Sequence, residues 1–431
     1  MAHTEVLTDA EIVTSGRLVS DSWVLVEDGV IAAVGQSEQR PPAAGATTSL
    51  RGALVLPGFV DIHVHGGGGG SFGSDRASTL RAARFHASNG TTSLLATLST
   101  CPAGALVEHV AQLGSFSEEP ELGCRLLGVH LEGPFISMVR RGAHNPQLIR
   151  PPDKAELGGL LAKAPGRIRL MTMAPEVPGF RDVARMAEEA GVAIALGHTD
   201  ADGPQLRAAI GAGARTMTHT FNGMRPVLHR SPGPMEAIVD TGVSCELICD
   251  GVHVHPTFVR MLRALVGQDR LVLVTDAARW AGAPDGTYEA GDRSVDVRDG
   301  AAFLHGTETL AGSTVTMAEV TRRYARFTGA GPVELAAVSS ANAARALGED
   351  HRIGRVQPGH QADLVVLGAG MECLGVMTAG RWVRPLGAIA RPFSTPSLPG
   401  GGAAVTDCPC DDGGDNLAQG GPRSGQRTEP L

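Results

Sequence analysis

The sequence predicts an α/β protein: a (β/α)8 TIM barrel with a small β-sandwich domain built from both chain ends. Three observations carry that prediction. Eight short apolar runs alternate with helix-like segments through the middle of the chain. Metal-ligating or titratable residues stand at the ends of those runs. Strand-and-turn patterns open the chain and return near its far end. A doubly wound open sheet shares the same local alternation and is the competing architecture.

Residues 5 to 56 read as short strands with tight turns; Trp23–Glu27, Asp28-Gly29 and Val30–Val34 together are a hairpin signal. Ala362–Leu367 and Leu374–Val383 repeat the pattern, so residues 1–56 and 360–390 are expected to share one small sandwich domain. The barrel is expected over residues 57–359. Its strands fall at Phe59–His65, Thr91–Leu98, Arg125–Leu131, Ile168–Met173, Val192–Gly197, Arg215–His219, Ser244–Asp250 and Leu271–Asp276. Helical spacing marks Phe180–Ala190 and Pro204–Ile210. A hairpin and loop at 287–312 precede helices Val315–Thr328 and Pro332–Leu347. From 391 to 431 the chain is rich in Pro, Gly and Ser, and is expected to be a disordered tail.

A barrel gathers its strand ends on one face. His63, His65, Glu132, His198, His219, Asp250 with His253, and Asp276 all stand at or just past such ends. His63 and His65 lie two apart on a strand and point the same way, so both imidazoles can reach one ion. With Glu132, His198 and His219 they form N and O donors suited to a divalent metal cation such as Zn or Fe(II), and poorly suited to calcium. One histidine beside an apolar run is ordinarily a packed side chain. Five donors at strand ends are harder to explain that way, because barrel interiors favour branched aliphatics.

Asp276 ends an apolar run where a carboxylate is costly unless it meets a cation or a hydrogen bond. We read it as a general base beside metal-activated water, with a helix-capping aspartate as the alternative. Glycines crowd the same ends. Gly66–Gly70 lacks the lysine of a phosphate-cradling loop and is read as backbone passing close to metal or substrate, the floor of the site.

A formal net charge of -8 and the absence of a basic run point away from nucleic acid. No stretch approaches the roughly eighteen apolar residues of a membrane span, and no basic leader opens the chain, so a cytoplasmic protein without a membrane partner is expected. The cysteines (Cys101, Cys124, Cys245, Cys249, Cys373, Cys408 and Cys410) are odd in number and lie mostly in apolar runs, which suits reduced thiols.

The motifs PGFVDIHVHG (57–66), HLEGPFIS (130–137), RGAHNP (141–146), GHT (197–199), THTFNGMRP (218–226), DGVHVHP (250–256), LVTDA (273–277) and LAGS (310–313) are now in place. Together, over residues 5–388, they resemble the N-acetylglucosamine-6-phosphate deacetylases of the amidohydrolase superfamily. The resemblance implies that Glu132, His198 and His219 hold the principal metal and that His63 and His65 allow a second, giving one or two ions per subunit. It makes Asp276 the catalytic acid/base. Substrate contacts are implied at Ala143, His144, Asn222, Gly223, Arg230, Asp250, His253, Leu310, Ala311 and Gly312. Gly223 stands where alanine is common, and because the contact is made by backbone little is expected to change. Ser231 stands where an acidic residue is expected. Relatives that bridge two metals with a carboxylated lysine differ, since the only lysines here, Lys154 and Lys163, fall in a helical stretch.

The implied reaction removes the acetyl group of N-acetyl-D-glucosamine 6-phosphate, a phosphorylated N-acetyl amino sugar, giving D-glucosamine 6-phosphate and acetate. Asp276 would pass a proton from water to the sugar nitrogen, and His144 would help stabilise the oxyanion. Arg230, with backbone at Asn222 and Gly223, would take the phosphate; in the family this arginine can reach across a subunit interface, so a homodimer is expected. The competing readings are another N-acyl substrate, such as a different N-acetyl hexosamine phosphate or an N-acyl amino acid, and a non-catalytic barrel.

Overall fold

Eight parallel strands follow one another around a ring: β1 (Phe59–Val64), β2 (Thr91–Leu98), β3 (Arg125–Glu132), β4 (Ile168–Met173), β5 (Ala193–Leu196), β6 (Thr216–Met217), β7 (Ser244–Ile248) and β8 (Leu271–Val274). The computed structural model describes residues 4–39, 45–116, 119–290, 293–389 and 393. The expected tail, apart from Phe393, lies outside the described residues, as do Cys408 and Cys410. Each strand pairs in parallel with the next. The ring closes between β8 and β1, where the Asp276 N–H donates to the His63 carbonyl at 2.8 Å and the His65 N–H to the Ala277 carbonyl at 2.8 Å. An open doubly wound sheet would leave those edges unpaired. The barrel therefore shuts at the very residues expected to carry chemistry.

The strands read as unbroken apolar runs because helices cover the outside of the ring and side chains fill its inside. Val60, Leu95, Leu170, Ala195, Ile248 and Val272 form one buried cluster although they come from six different strands, which places them within the ring. Outside, the helix Phe180–Glu189 buries Phe180, Val183, Ala184 and Ala187, the i, i+3, i+4, i+7 face. Side-chain caps set several helix starts: Asp75, Asp153 and Thr316 accept backbone N–H groups of their first turns, and Asp202 makes a capping box with Gln205.

The two chain ends meet in a second sheet. Thr4–Thr14, Arg17–Glu27, Val30–Gln36, Ala46–Ser49, Leu54–Pro57, Leu364–Leu367, Cys373–Thr378 and Arg381–Arg384 are hydrogen-bonded together. Leu54–Pro57 pairs antiparallel with Leu364–Leu367, joining the ends directly. In the hairpin, Glu27 pairs with Val30 across Asp28 (φ 48°) and Gly29 (φ 84°), the left-handed pair that a type I′ turn requires. Leu7, Ile12, Val24, Ile31, Val55 and Leu364 give this sheet its own core. The inserted segment folds as Gly286–Ala290, Arg293–Arg298 and Ala301–Leu304, an antiparallel sheet whose Arg293, Val295 and Leu304 line the cavity at the barrel mouth.

Candidate metal centre and active site

Two groups of three donors converge at the C-terminal ends of the strands: His63, His65 and Asp276, and Glu132, His198 and His219. In the second group Glu132 Oε1 lies 3.1 Å from His198 Nε2 and 3.0 Å from His219 Nε2, and the two nitrogens are 3.0 Å apart. Glu132 also faces the first group, 3.3 Å from His63 Nε2 and 3.2 Å from His65 Nε2. Asp276 Oδ1 stands 3.4 Å and 3.1 Å from the same two nitrogens.

This arrangement fits a cation. The His198 Nδ1–H donates to the Arg140 carbonyl at 2.8 Å, so its Nε2 presents a lone pair to the carboxylate and to His219. Lone pairs turned on one another are stable only around a positive charge. Donors bonded to a tetrahedral zinc ion lie roughly 3.3 Å from each other, close to the 3.0–3.1 Å found here.

Strain gathers at these positions. His198 (φ 45°), His219 (φ 27°) and Asp276 (φ 48°) are non-glycine residues in left-handed backbone just past β5, β6 and β8. Each chain reversal aims a side chain into the mouth.

The charges follow from burial and partners. Burial raises the Glu132 pKa, but the surrounding imidazoles of His63, His144 and His198 outweigh it and hold the carboxyl well below its usual range. Asp276 is likewise held low against burial by His63 and His65. Burial opposes charging of His65, yet hydrogen bonds to Asp276 and Glu132 push it up to about 9. A proton and a metal therefore compete for that nitrogen. Burial lowers His144 to about 4. His253 goes the other way: Asp250, 2.6 Å from its Nδ1, overcomes burial and raises it.

Above the donors opens a cavity of about 740 Å³, in the range of small-ligand sites. Ala143, His144, Asn222, Gly223, His253, Leu310, Ala311 and Gly312 line it, beside His65, Glu132, His198, His219 and Asp276. His63 is fully buried below. Asp250 holds His253 from behind. Arg230 is exposed and does not line the cavity of its own chain.

One expectation needs correction. Gly66–Gly70 is not the floor of the site: it forms a small hairpin, Gly66–Gly67 with Gly70–Ser71, against the helix Arg76–Ala87, where a Cβ at Gly70 would strike the Ser78 carbonyl. Gly223, at a φ of 58°, lines the cavity with its backbone, and an added Cβ there would sit 2.9 Å from His198 Nδ1. The Asn222 backbone N–H bonds to the His219 carbonyl at 3.0 Å, and Asn222 lines the cavity.

Sequence reasoning missed the polar groups beneath the donors. The Thr275 hydroxyl donates to Asp61 at 2.5 Å, and Thr97, His130 and Thr172 form a buried chain across β2, β3 and β4. Glu246 meets the ring of His63. Its signal was present as a lone charge inside the apolar run of β7.

A closed parallel barrel with two such donor groups at its mouth defines the class of metal-dependent hydrolase barrels. The chain belongs to the amidohydrolase family, whose profile matches residues 54–383. It is 36% identical over 386 residues to the N-acetylglucosamine-6-phosphate deacetylase of Bacillus subtilis (strain 168), covering 88% of this chain and 97% of that one. It is 33% identical over 380 residues to the N-acetylgalactosamine-6-phosphate deacetylase of Escherichia coli O157:H7, covering 88% and 99%. Among solved structures, an Asp-to-Ala mutant of the Mycobacterium smegmatis N-acetyl-D-glucosamine-6-phosphate deacetylase, in complex with N-acetyl-D-glucosamine-6-phosphate, superposes with a TM-score of 0.82. That match has 39% identity and covers 88% of this chain and 99% of that one.

Proposed function

We propose that the chain hydrolyses the N-acetyl group of N-acetyl-D-glucosamine 6-phosphate to D-glucosamine 6-phosphate and acetate. The observation that carries this reading is the meeting of both donor groups and Asp276 beneath a cavity of about 740 Å³, in a chain whose relatives deacetylate hexosamine 6-phosphates. Glu132, His198 and His219 hold the principal divalent cation, and His63 and His65 with Asp276 a second; imidazole and carboxylate donors favour zinc or ferrous iron. Such an ion supplies Lewis acidity toward the amide and brings the pKa of water toward neutrality.

Asp276 takes the proton of the attacking water and passes it to the sugar nitrogen, without which the amine leaves poorly. His144, neutral through burial, holds its Nε2 3.3 Å from Glu132 at the cavity wall, and this N–H would turn to the acyl oxygen as charge develops there. His253, whose pKa Asp250 raises against burial, and the Gly223 backbone receive the 6-phosphate. Arg230 adds a guanidinium from a second subunit. No described helix is long and apolar enough to cross a membrane, and the described cysteines are free.

The test is acetate release by the purified protein. Activity on N-acetylglucosamine 6-phosphate is expected to disappear with chelator and to return with added metal. Asp276→Asn is expected to lose about 100-fold or more in kcat; a fully active variant would remove Asp276 from its role. The N-acetylgalactosamine relative supports a second reading, the 4-epimer as substrate. Parallel kcat/KM values for the two epimers decide between them, and equal turnover of unphosphorylated N-acetylglucosamine would overturn the phosphate assignment.

A further inference from the structure

Glu246, on β7, is fully buried and takes no part in the reaction outlined above. Its Oε2 lies 3.0 Å from His63 Nδ1 and also accepts the His219 backbone N–H at 3.1 Å. Its Oε1 is buried without a hydrogen-bond partner. Among the described residues no arginine or lysine pairs with it, and its ion-pair contact is the His63 ring. A buried carboxylate costs several kcal/mol unless something offsets it.

The same contact decides the state of His63. A carboxylate oxygen placed on Nδ1 takes that nitrogen's N–H, so the atom of His63 that a cation can use is Nε2. That Nε2 is the atom 3.3 Å from Glu132 and 3.4 Å from Asp276, and it makes no hydrogen bond of its own. His65 differs. Its Nδ1 faces the Ser99 hydroxyl at 3.1 Å, a group that both donates and accepts and so imposes no tautomer.

We propose that Glu246 is a positioning residue for a second divalent cation: it fixes His63 as the Nδ1–H tautomer and thereby makes His63, His65 and Asp276 a donor set. Through the same oxygen it ties that group to the backbone of His219 in the other one, so the two sites share a support. The inference rests on the metal-dependent reading above and goes beyond it by naming what prepares the second site.

The experiment is a Zn²⁺ titration of chelator-stripped, full-length protein in buffers of fixed free zinc, with bound ions counted by elemental mass spectrometry. The wild type is expected to take two ions in separable steps. Glu246→Gln keeps the acceptor and drops the charge; it is expected to weaken one step about tenfold. Glu246→Leu removes both and is expected to weaken that step up to about 100-fold, while the other step moves by roughly threefold or less. Nitrogen-15 spectra of histidine-labelled protein are expected to show His63 protonated at Nδ1 in the wild type and mixed in the Leu variant. If the Leu variant does not fold, the isosteric Gln variant decides alone. Two unchanged steps in the variants, or a wild type that takes one ion, overturn the inference and leave the deacetylase reading standing. A wild type that binds no ion overturns the metal-dependent reading itself.

Discussion

At the scale of single residues, the site depends on how each imidazole is aimed from behind. His198 owes its free Nε2 to the Arg140 carbonyl, and the contact runs beside Gly223, whose missing side chain leaves room for the ring. Gly223→Ala places a methyl group 2.9 Å from His198 Nδ1 at a φ of 58°. The left-handed backbone alone costs about 1 kcal/mol for an L-residue, and displacement of the ring lengthens its bond to Arg140. The expected result is about a tenfold loss of affinity at the Glu132, His198 and His219 group, since partners behind metal ligands are typically worth that much. Metal titration of the variant checks this, and an unchanged binding curve would show that the loop absorbs the methyl group. The donors themselves were legible in the sequence because each is a polar residue ending an apolar run. Their supports were not: the carbonyl of Arg140 has no sequence signature, and Glu246 was recognisable only as a charge out of place in Ser244–Ile248.

At the scale of elements, all eight strand positions could be read because barrel strands are buried on both faces and so appear as uninterrupted apolar runs. Contacts between helices were not legible, since they join residues far apart in the chain. Glu334, on Pro332–Ala336, receives both Arg263 Nε and Arg263 Nη2 at 2.6 Å and the Tyr324 hydroxyl at 2.7 Å, binding the helices Pro256–Val266 and Met317–Thr328 to its own. Burial raises the pKa of this carboxyl, but hydrogen bonds from Arg263 and Tyr324 outweigh it and lower the value. A depressed carboxylate stabilises fully above its unfolded value of about 4.3, and the contribution fades as pH falls through the folded value. Glu334→Gln should therefore cost about 2 kcal/mol at pH 7, and the gap to wild type should close only below about pH 4. Denaturant midpoints from pH 7 down to 3.5 test the sign. A gap that closes between pH 7 and pH 5 would assign the stabilisation to another group.

At the scale of the whole molecule, one predicted residue stands apart from the site it was assigned to. Arg230 is exposed on a loop with Val227 and Leu228, which are 39% and 55% exposed. The neighbouring loop presents Met138 and Val139 at 45% and 70%. In the proposed homodimer these apolar side chains would lie at the two-fold interface, and each copy would lend Arg230, which does not line the cavity of its own chain, to the other. This reading makes a sharp prediction about mixed subunits. Arg230→Gln and Asp276→Asn are each expected to be nearly inactive at low substrate. After the two variants are mixed and allowed to exchange, a hybrid dimer contains one site with both defects and one with neither. A statistical mixture should then recover about one quarter of wild-type kcat/KM, because half the dimers are hybrids and each hybrid has one intact site of two. If Arg230 served its own cavity, every hybrid site would keep a defect, and the mixture would show only the average of its parents.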